Sequence, residues 1–229
     1  ETRTEYLEIT NNGDVALSLN LGMQGLEGYA LLSDESMFLA PGESRTITLD
    51  FSASESEDPD VYAGRLLISS GGIQRTVRLV LEVKEKVPLF DIHIGGIGDF
   101  PLEMEPGDDF WTEILLYNFG DIDMVDVTLF YSIRDFNGNE IISFSETMAV
   151  EEQRSVKRKL YIPEGTEPGY YLLYSRVDYA NQTAVSSALI KVGEAPGTEI
   201  TWIEITYIAI FVLALSSVLI ILLRRRIKR

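Results

Sequence analysis

Apolar and polar residues alternate along most of the chain before residue 194. In Arg75–Val83, Val77 and every second residue after it are apolar, and the same pattern recurs in Ile47–Phe51 and Val125–Ile133. This period of two predicts half-buried β-strands. Glycine and asparagine in Ser70–Ile73 and Phe136–Asn139 predict hairpins, because both tolerate the positive φ of tight turns. The pattern therefore predicts an all-β fold of the sandwich type.

A short motif occurs twice, 107 residues apart. Leu7–Asp14 and Ile114–Asp121 share two alternate apolar residues followed by Asn-x-Gly-Asp, a combination typical of a turn at a strand end. Two further markers recur at offsets of 109 and 105: a Glu-x-Arg at Glu43 and Glu152, and a glycine before a strand at Gly64 and Gly169. The repeat predicts two tandem Ig-like or fibronectin-III-like β-sandwiches, over residues 1–85 and 86–193.

The repeat also predicts that the first sandwich is N-terminally truncated in this sequence. Phe90–Ile94 and Glu105–Gly107 precede the second copy of the motif, and the same offset places their counterparts before Glu1. A sandwich without its opening strand exposes unpaired backbone amides at an edge. We therefore expect an upstream segment to complete it.

The C-terminal region predicts a membrane anchor. Ile205–Leu223 contains no charged residue over nineteen positions, which matches the roughly 20 residues that an α-helix needs to span a bilayer. We expect a linker over residues 194–201, a transmembrane helix over 202–223 and a cytoplasmic tail over 224–229. The residues expected at the two membrane surfaces are Trp202, Tyr207, Arg224, Arg225, Arg226, Lys228 and Arg229.

The charge and the cysteine content limit the classes of ligand and the cellular compartments that fit the chain. Of the 36 acidic and 19 basic side chains, all the acidic and 14 of the basic ones precede residue 205, so the predicted ectodomain is strongly acidic. Such a surface disfavours binding to nucleic acid. The absence of cysteine favours a prokaryotic, archaeal envelope over a eukaryotic ectodomain. Asn181 begins the N-x-[ST] glycosylation sequon Asn181–Thr183, which we expect in a turn outside the membrane.

The second copy resembles the prokaryotic surface Ig-like modules of the cell-adhesion-related domain (CARDB) type. The residues that carry this resemblance are Ile114–Asp121, Val125–Ile133 with the Asn137-Gly138 hairpin, Pro163, Gly169–Tyr171 and Ser186–Val192. The resemblance implies a stalk or binding unit of an envelope protein, often on a C-terminal membrane helix. It implies no active site.

Catalytic chemistry has few candidate residues. The chain has one histidine, His93, and no cysteine, so one copy cannot assemble a zinc site or a Cys–His or Ser–His–Asp centre of the usual kind. We therefore expect no enzymatic activity and no organic cofactor, and we expect His93 on a strand surface.

Three groups of acidic residues are candidate calcium sites, because calcium prefers several carboxylate and carbonyl oxygens. None of the loops has the spacing of a loop that wraps the ion, so ordinary solvated loops remain the alternative. The first candidate group is Glu55, Glu57, Asp58 and Asp60, and the others are Asp121, Asp123 and Asp126, and Glu103, Glu105, Asp108 and Asp109.

Aromatic residues of the second copy allow two interpretations. They belong either to the core of the sandwich, which usually takes up such rings, or to a recognition face for sugar or protein. The residues concerned are Phe110, Trp111, Tyr170, Tyr171, Tyr174 and Tyr179.

These features together predict a non-enzymatic, single-pass cell-membrane protein with an extracellular N-terminus. Its Ig-like ectodomain would serve as a stalk or docking unit for another envelope or membrane protein, with lipid contacting the helix. Two alternatives remain: an accessory subunit of an exporter, secretion or glycan-transfer complex, and a carbohydrate-binding surface module. A discrete larger complex in a gentle detergent extract favours the subunit, and a free elongated monomer favours the stalk.

Overall fold

A computed structural model of the chain describes residues 2–86, 88–96, 103–120 and 124–193. Every regular element within these ranges is a β-strand, as the alternation predicts. In chain order they are β1 Thr2–Thr10, β2 Leu17–Gln24, β3 Ala30–Leu32, β4 Ser36–Leu39, β5 Ser44–Ser52, β6 Asp60–Ser70, β7 Ile73–Val83, β8 Phe90–Gly96, β9 Glu103–Met104, β10 Asp109–Asn118, β11 Val125–Arg134, β12 Glu140–Val150, β13 Gln153–Tyr161, β14 Gly169–Tyr179 and β15 Gln182–Val192.

Strands β1 to β7 form the first sandwich. One sheet has the order β1-β5-β3 and the other β4-β2-β6-β7. Inward residues from both sheets, such as Leu21, Ile47 and Leu66, meet in one buried cluster. Apolar residues recur at every second position along a strand, so they lie on the same face of the sheet.

Strands β8 to β15 form the second sandwich. Its sheets have the orders β13-β10-β8 and β12-β11-β14-β15-β9, and only the pairing of β9 with β15 is parallel. The core is larger than that of the first sandwich and includes Ile92, Ile114, Leu129 and Leu173. The alternation predicted over Val125–Ile133 is confirmed, since each of its inward residues is buried in this core.

The two predicted hairpins are present but differ in length. Gly71 and Gly72, with φ of 53° and 86°, form the two-residue connection between β6 and β7. The connection between β11 and β12 is the longer loop 135–139, in which Gly138 has a φ of 85°. Positive φ at these positions is the reason that glycine occupies them.

The Asn-x-Gly motif has the same structural role in both sandwiches. The side-chain Oδ1 of Asn11 accepts a hydrogen bond from the Gly13 amide at 3.0 Å, and Oδ1 of Asn118 accepts one from Gly120 at 2.9 Å. The backbone amides of Asn11 and Asn118 donate to the carbonyls of Glu43 and Glu152, both at 2.9 Å. The motif is therefore turn chemistry, as its sequence indicates.

The predicted equivalence of Gly64 and Gly169 in the repeat is wrong. Gly64 lies inside β6, four residues beyond its first residue, whereas Gly169 is the first residue of β14. The two glycines hold different places in their strands, so their similar spacing does not reflect structural equivalence.

The repeat places β1 and β10 in corresponding positions, but their surroundings differ. β10 lies between β13 and β8, whereas β1 pairs with β5 on one side and is an edge strand in the described part of the chain. Ile114 and Leu116 of β10 are completely buried. Leu7 and Ile9, their counterparts in β1, are only partly buried. One neighbouring strand fewer accounts for this difference in burial.

Several predicted features lie outside the described residues. These are the linker, the transmembrane helix with Trp202, Tyr207 and the five basic residues of the tail, and the acidic residues Asp121 and Asp123. Within the residues that the structure describes, no helix is both long enough and apolar enough to cross a membrane.

The burial difference between β1 and β10 yields a stability prediction. We expect Leu116→Ala to lower the free energy of unfolding by about 2–5 kcal/mol, because it leaves a cavity in a closed core. Ile9→Ala should cost clearly less, since its side chain is already partly solvated. Urea denaturation of the two variants measures both values; equal losses would mean that β1 is as enclosed as β10.

Candidate binding cleft between the two sandwiches

β14 is buried on both of its faces. All five residues from Tyr171 to Ser175 are buried. Tyr171 and Leu173 point into the core of the second sandwich. Leu172 and Tyr174 point the other way and line one cavity together with Val61 of β6 in the first sandwich. The two sandwiches are therefore packed against each other through the outer faces of two sheets.

A polar contact forms the centre of this junction. The hydroxyl of Tyr174 donates a hydrogen bond to Oδ1 of Asp60 at 2.9 Å, and the Tyr174 side chain is 1% exposed. Burial, together with the nearby Asp60 carboxylate, raises the pKa of Tyr174 above its usual range. The phenol is thus neutral at physiological pH and acts as the hydrogen-bond donor.

Arg134 completes the contact from β11. Its guanidinium lies 3.6 Å from the centre of the Tyr174 ring. One nitrogen is 4.0 Å from Oδ1 of Asp60 and another donates to Glu140 at 3.0 Å. A largely buried cation is stable only with charged or π-electron partners, and Arg134 has both.

A second polar contact joins the sandwiches at β7 and β15. Oε1 of Glu82 accepts hydrogen bonds from the amide and the hydroxyl of Ser187, at 2.7 and 2.8 Å. Lys84, just after β7, lies 3.6 Å from Asp91 of β8. The junction is thus held at separate points along the strands, which opposes rotation of one sandwich against the other.

The β11–β12 loop inserts a ring beside the first sandwich. Phe136 is buried, yet it belongs to neither core, and the guanidinium of Arg65 in β6 lies 5.8 Å from its ring centre. The Asp135 carboxylate organises the loop by accepting hydrogen bonds from Asn137 and Asn139. Burial opposes ionisation of Asp135, but these hydrogen bonds prevail and lower its pKa.

An open cleft remains on both sides of Phe136. It consists of two adjoining cavities of about 440 and 420 Å³, which share Arg65 and Phe136 in their linings. Arg134 and Tyr174 contribute to the first cavity, and Arg78 and Tyr170 contribute to the second. We call this space the junction cleft.

Two arginines lie side by side in the junction cleft. Arg65 on β6 is directly opposite Arg78 on β7, and both point outward because the neighbouring Leu66 points into the core. The guanidinium of Arg78 lies 3.8 Å from the centre of the Tyr170 ring. Neither arginine forms an ion pair with any residue in the described ranges. Like charges directly opposite on a sheet are destabilising, so the pair is unusual.

The six aromatic residues highlighted by the sequence do not form one face. Phe110 and Tyr171 lie in the core, and Tyr179 contacts Phe90 edge-on with ring centres 5.4 Å apart. Tyr170 and Tyr174 line the junction cleft. Trp111 is 52% exposed on β10, in the other sheet of the sandwich. A single recognition face made of all six residues is therefore wrong.

The calcium candidates of the first acidic loop have protein partners. Oε1 of Glu57 accepts from the hydroxyls of Tyr29 and Tyr62 at 2.7 and 3.1 Å, and Glu55 lies 3.5 Å from Lys86. Asp60 accepts the hydrogen bond from Tyr174 at the junction. Asp58 contributes its backbone carbonyl to Tyr62, at 3.5 Å.

The acidic residues of the third group also have protein partners. Asp109 pairs with Lys159 at 2.6 Å, Glu103 pairs with Lys191, and Asp108 accepts from the backbone amide of Glu105. Asp126, of the second group, is exposed on β11. In the ranges that the structure describes, no three histidine, cysteine or acidic side chains come together as a metal-binding group.

His93 and Asn181 lie where the sequence places them. His93 is exposed on β8, between the buried Ile92 and Ile94. Asn181 is exposed in the two-residue turn between β14 and β15. The hydroxyl of Thr183, the third residue of its sequon, donates to Asp178 at 2.8 Å.

Sequence reasoning missed Arg65, Arg78 and the insertion of Phe136. Two signals were available. The predicted two-residue turn at Gly71-Gly72 sets the register of β6 and β7 and so places the two arginines opposite each other. Residues Tyr170–Tyr174 form an uninterrupted apolar and aromatic run, which is typical of a strand that is buried on both faces.

No family model matches the chain, and no curated protein sequence matches it either. Solved structures similar to it include the CARDB domain of the PF1109 protein from Pyrococcus furiosus, solved in complex with di-metal ions, at 16% identity over 48% of this chain and 92% of that one (TM-score 0.35). A protein of unknown function from Porphyromonas gingivalis is 13% identical over 84% of this chain and 91% of that one (TM-score 0.43). The CARDB domain that the sequence resembles is thus among the structural neighbours, at low identity over half of the chain.

The Tyr174–Asp60 contact makes a prediction for the junction. Tyr174→Phe should lower the free energy of unfolding by about 1 kcal/mol, the usual net value of one hydrogen bond. Tyr6→Phe is the matched control, because the Tyr6 side chain is exposed and makes no hydrogen bond in the described structure. Denaturation curves of the two variants give the comparison; similar values would show that the buried contact adds no stability.

Gly64, which lines the cleft, leads to a second stability prediction. A Cβ at this position would lie 2.6 Å from Cγ of Leu26 and 2.7 Å from the carbonyl oxygen of Gln24. We expect Gly64→Ala to cost about 1–3 kcal/mol, as other overpacked sites do. Gly22→Ala on the adjacent strand is the control, since a Cβ there meets no atom within 4 Å. A neutral Gly64→Ala variant would mean that β6 shifts freely away from Gln24.

Proposed function

We propose that this chain is a non-enzymatic, single-pass envelope protein whose two sandwiches act as one rigid docking unit for another protein. The observation that carries the proposal is the double-sided burial of β14, with Tyr174, Asp60 and Arg134 at the centre of the junction. The predicted helix over residues 202–223 would tether the unit to the membrane, with its basic tail in the cytoplasm.

Rigidity supports docking for an energetic reason. Two sandwiches on a flexible linker lose orientational freedom when a partner contacts both, and this loss weakens binding. A junction with several polar contacts and buried rings has already restricted that freedom during folding. Membrane tethering adds a high local concentration of the unit near any partner in the same membrane.

An exposed aromatic pair supplies a candidate contact surface. Trp111 on β10 and Tyr161 on β13 are 52% and 48% exposed, and both belong to the outer face of the same sheet. They are diagonal neighbours, because Trp111 pairs with Lys159 and Tyr161 pairs with Asp109. Tryptophan and tyrosine are enriched among the residues that contribute most to protein–protein binding.

The proposal predicts that truncating this pair weakens partner binding. We would cross-link the full chain in its native membranes, extract it in mild detergent and measure the fraction in a discrete larger species. Trp111→Ala should reduce that fraction strongly, because losing a hot-spot residue costs at least about 2 kcal/mol, or roughly thirtyfold in Kd. Phe38→Ala, an exposed aromatic residue of the first sandwich, should leave it unchanged.

The outcomes separate the proposal from its alternatives. A free monomer in every extract would contradict docking and leave only a passive stalk. A complex that survives Trp111→Ala, but is lost when the predicted helix is exchanged for an unrelated one, would favour an accessory subunit assembled through the membrane. Unchanged unfolding midpoints of the ectodomain must accompany either result.

A further inference from the structure

We infer that the junction cleft binds an acidic oligosaccharide, with a sugar carboxylate seated between Arg65 and Arg78. This inference goes beyond docking, which uses the outer face of another sheet. It assigns a ligand class to Arg65 and Arg78, which have no part in the proposed docking.

The first argument is the charge balance of the arginine pair. Nine of the 14 basic side chains before residue 205 form ion pairs within the described ranges. Arg65 and Arg78 form none, although they lie opposite each other in a strongly acidic protein. Their mutual repulsion is relieved if an anion binds between them.

The second argument is that the second sandwich positions both guanidinium groups. Tyr170 lies under Arg78 at 3.8 Å, and Phe136 lies beside Arg65 at 5.8 Å. A ring that contacts the flat face of a guanidinium leaves its N–H edge available. That edge is the part that binds a carboxylate with two parallel hydrogen bonds.

Neutral polar side chains in the lining of the cleft favour a sugar as the carrier of the carboxylate. Gln24, Gln74, Thr76 and Asn137 surround the arginines and offer amide and hydroxyl groups, which suit the hydroxyls of a sugar ring. Backbone pairing with an acidic peptide is closed at Arg65, because β6 is hydrogen-bonded to β2 and to β7 at this residue. β7, which carries Arg78, is an edge strand in the described part of the chain, so the titration below includes a peptide probe.

Two carboxylates in the lining limit the charge of the ligand. Asp135 accepts hydrogen bonds from its own loop, and Glu167 is exposed at the same cavity. Both repel a dense polyanion such as nucleic acid. One carboxylate among neutral groups fits the cleft better than a continuous run of charges.

The test is a calorimetric titration of the full chain in uncharged detergent. The probes are a galacturonic acid trisaccharide, the neutral galactose trisaccharide of matched length, and tri-glutamate. We expect saturable binding of the first, at least tenfold weaker binding of the other two, and weakening of the first by added salt. Arg65→Gln/Arg78→Gln should abolish binding.

Arg75→Gln is the matched control, because Arg75 is exposed on the same strand, forms no ion pair in the described ranges and does not line the cleft. It should bind the acidic trisaccharide like the unmodified chain. The double variant removes a repulsion between like charges, so we expect it to remain folded. Its unfolding midpoint checks that the fold is intact. Thr76→Val, which keeps both arginines, should weaken binding several-fold.

Four outcomes would overturn the inference. They are the absence of binding to the acidic trisaccharide, equal binding of the neutral one, equal losses in the Arg75 control and the double variant, and tighter binding of tri-glutamate, which would assign the cleft to acidic peptides. Trp111→Ala leaves the cleft intact, so failure of the docking proposal does not affect this titration.

Discussion

The burial of β14 on both faces is the constraint on which the rest of this structure depends. A strand in an isolated sandwich needs one apolar face, yet β14 presents Tyr171 and Leu173 to one side and Leu172 and Tyr174 to the other. Exposing the second face to water would cost the transfer free energy of two large side chains. The packing of the first sandwich against the second follows from this requirement.

Polar groups determine how the two sheets face each other. Apolar contact is not directional, so it does not select one relative orientation. Tyr174, by contrast, must reach an acceptor once it is buried, and Asp60 provides it at 2.9 Å. Glu82 and Ser187 make a second contact at another strand pair. Two separated directional contacts are sufficient to fix the register of one sheet on the other.

Strand alternation and turns were predictable from the sequence because they depend on neighbouring residues. The inward residues of Val125–Ile133 and the glycine turn at Gly71 follow from local rules. The pairing of Arg65 with Arg78 follows from that turn, because a two-residue connection sets the register of β6 and β7. The junction cleft was not predictable in this way, because it depends on residues of the second sandwich, Phe136 and Tyr170, that lie far away in the chain. The equivalence of Gly64 and Gly169 failed because spacing along the chain does not record position within a strand.

The cleft and the junction have a common physical origin. The β11–β12 loop, organised by Asp135, places the buried Phe136 beside β6 at the point where the two cavities adjoin. The ring acts as a spacer that keeps the sheets apart there, while Tyr174 and Asp60 hold them together nearby. The contacts that join the two sandwiches therefore also border the cleft in which Arg65 and Arg78 lie.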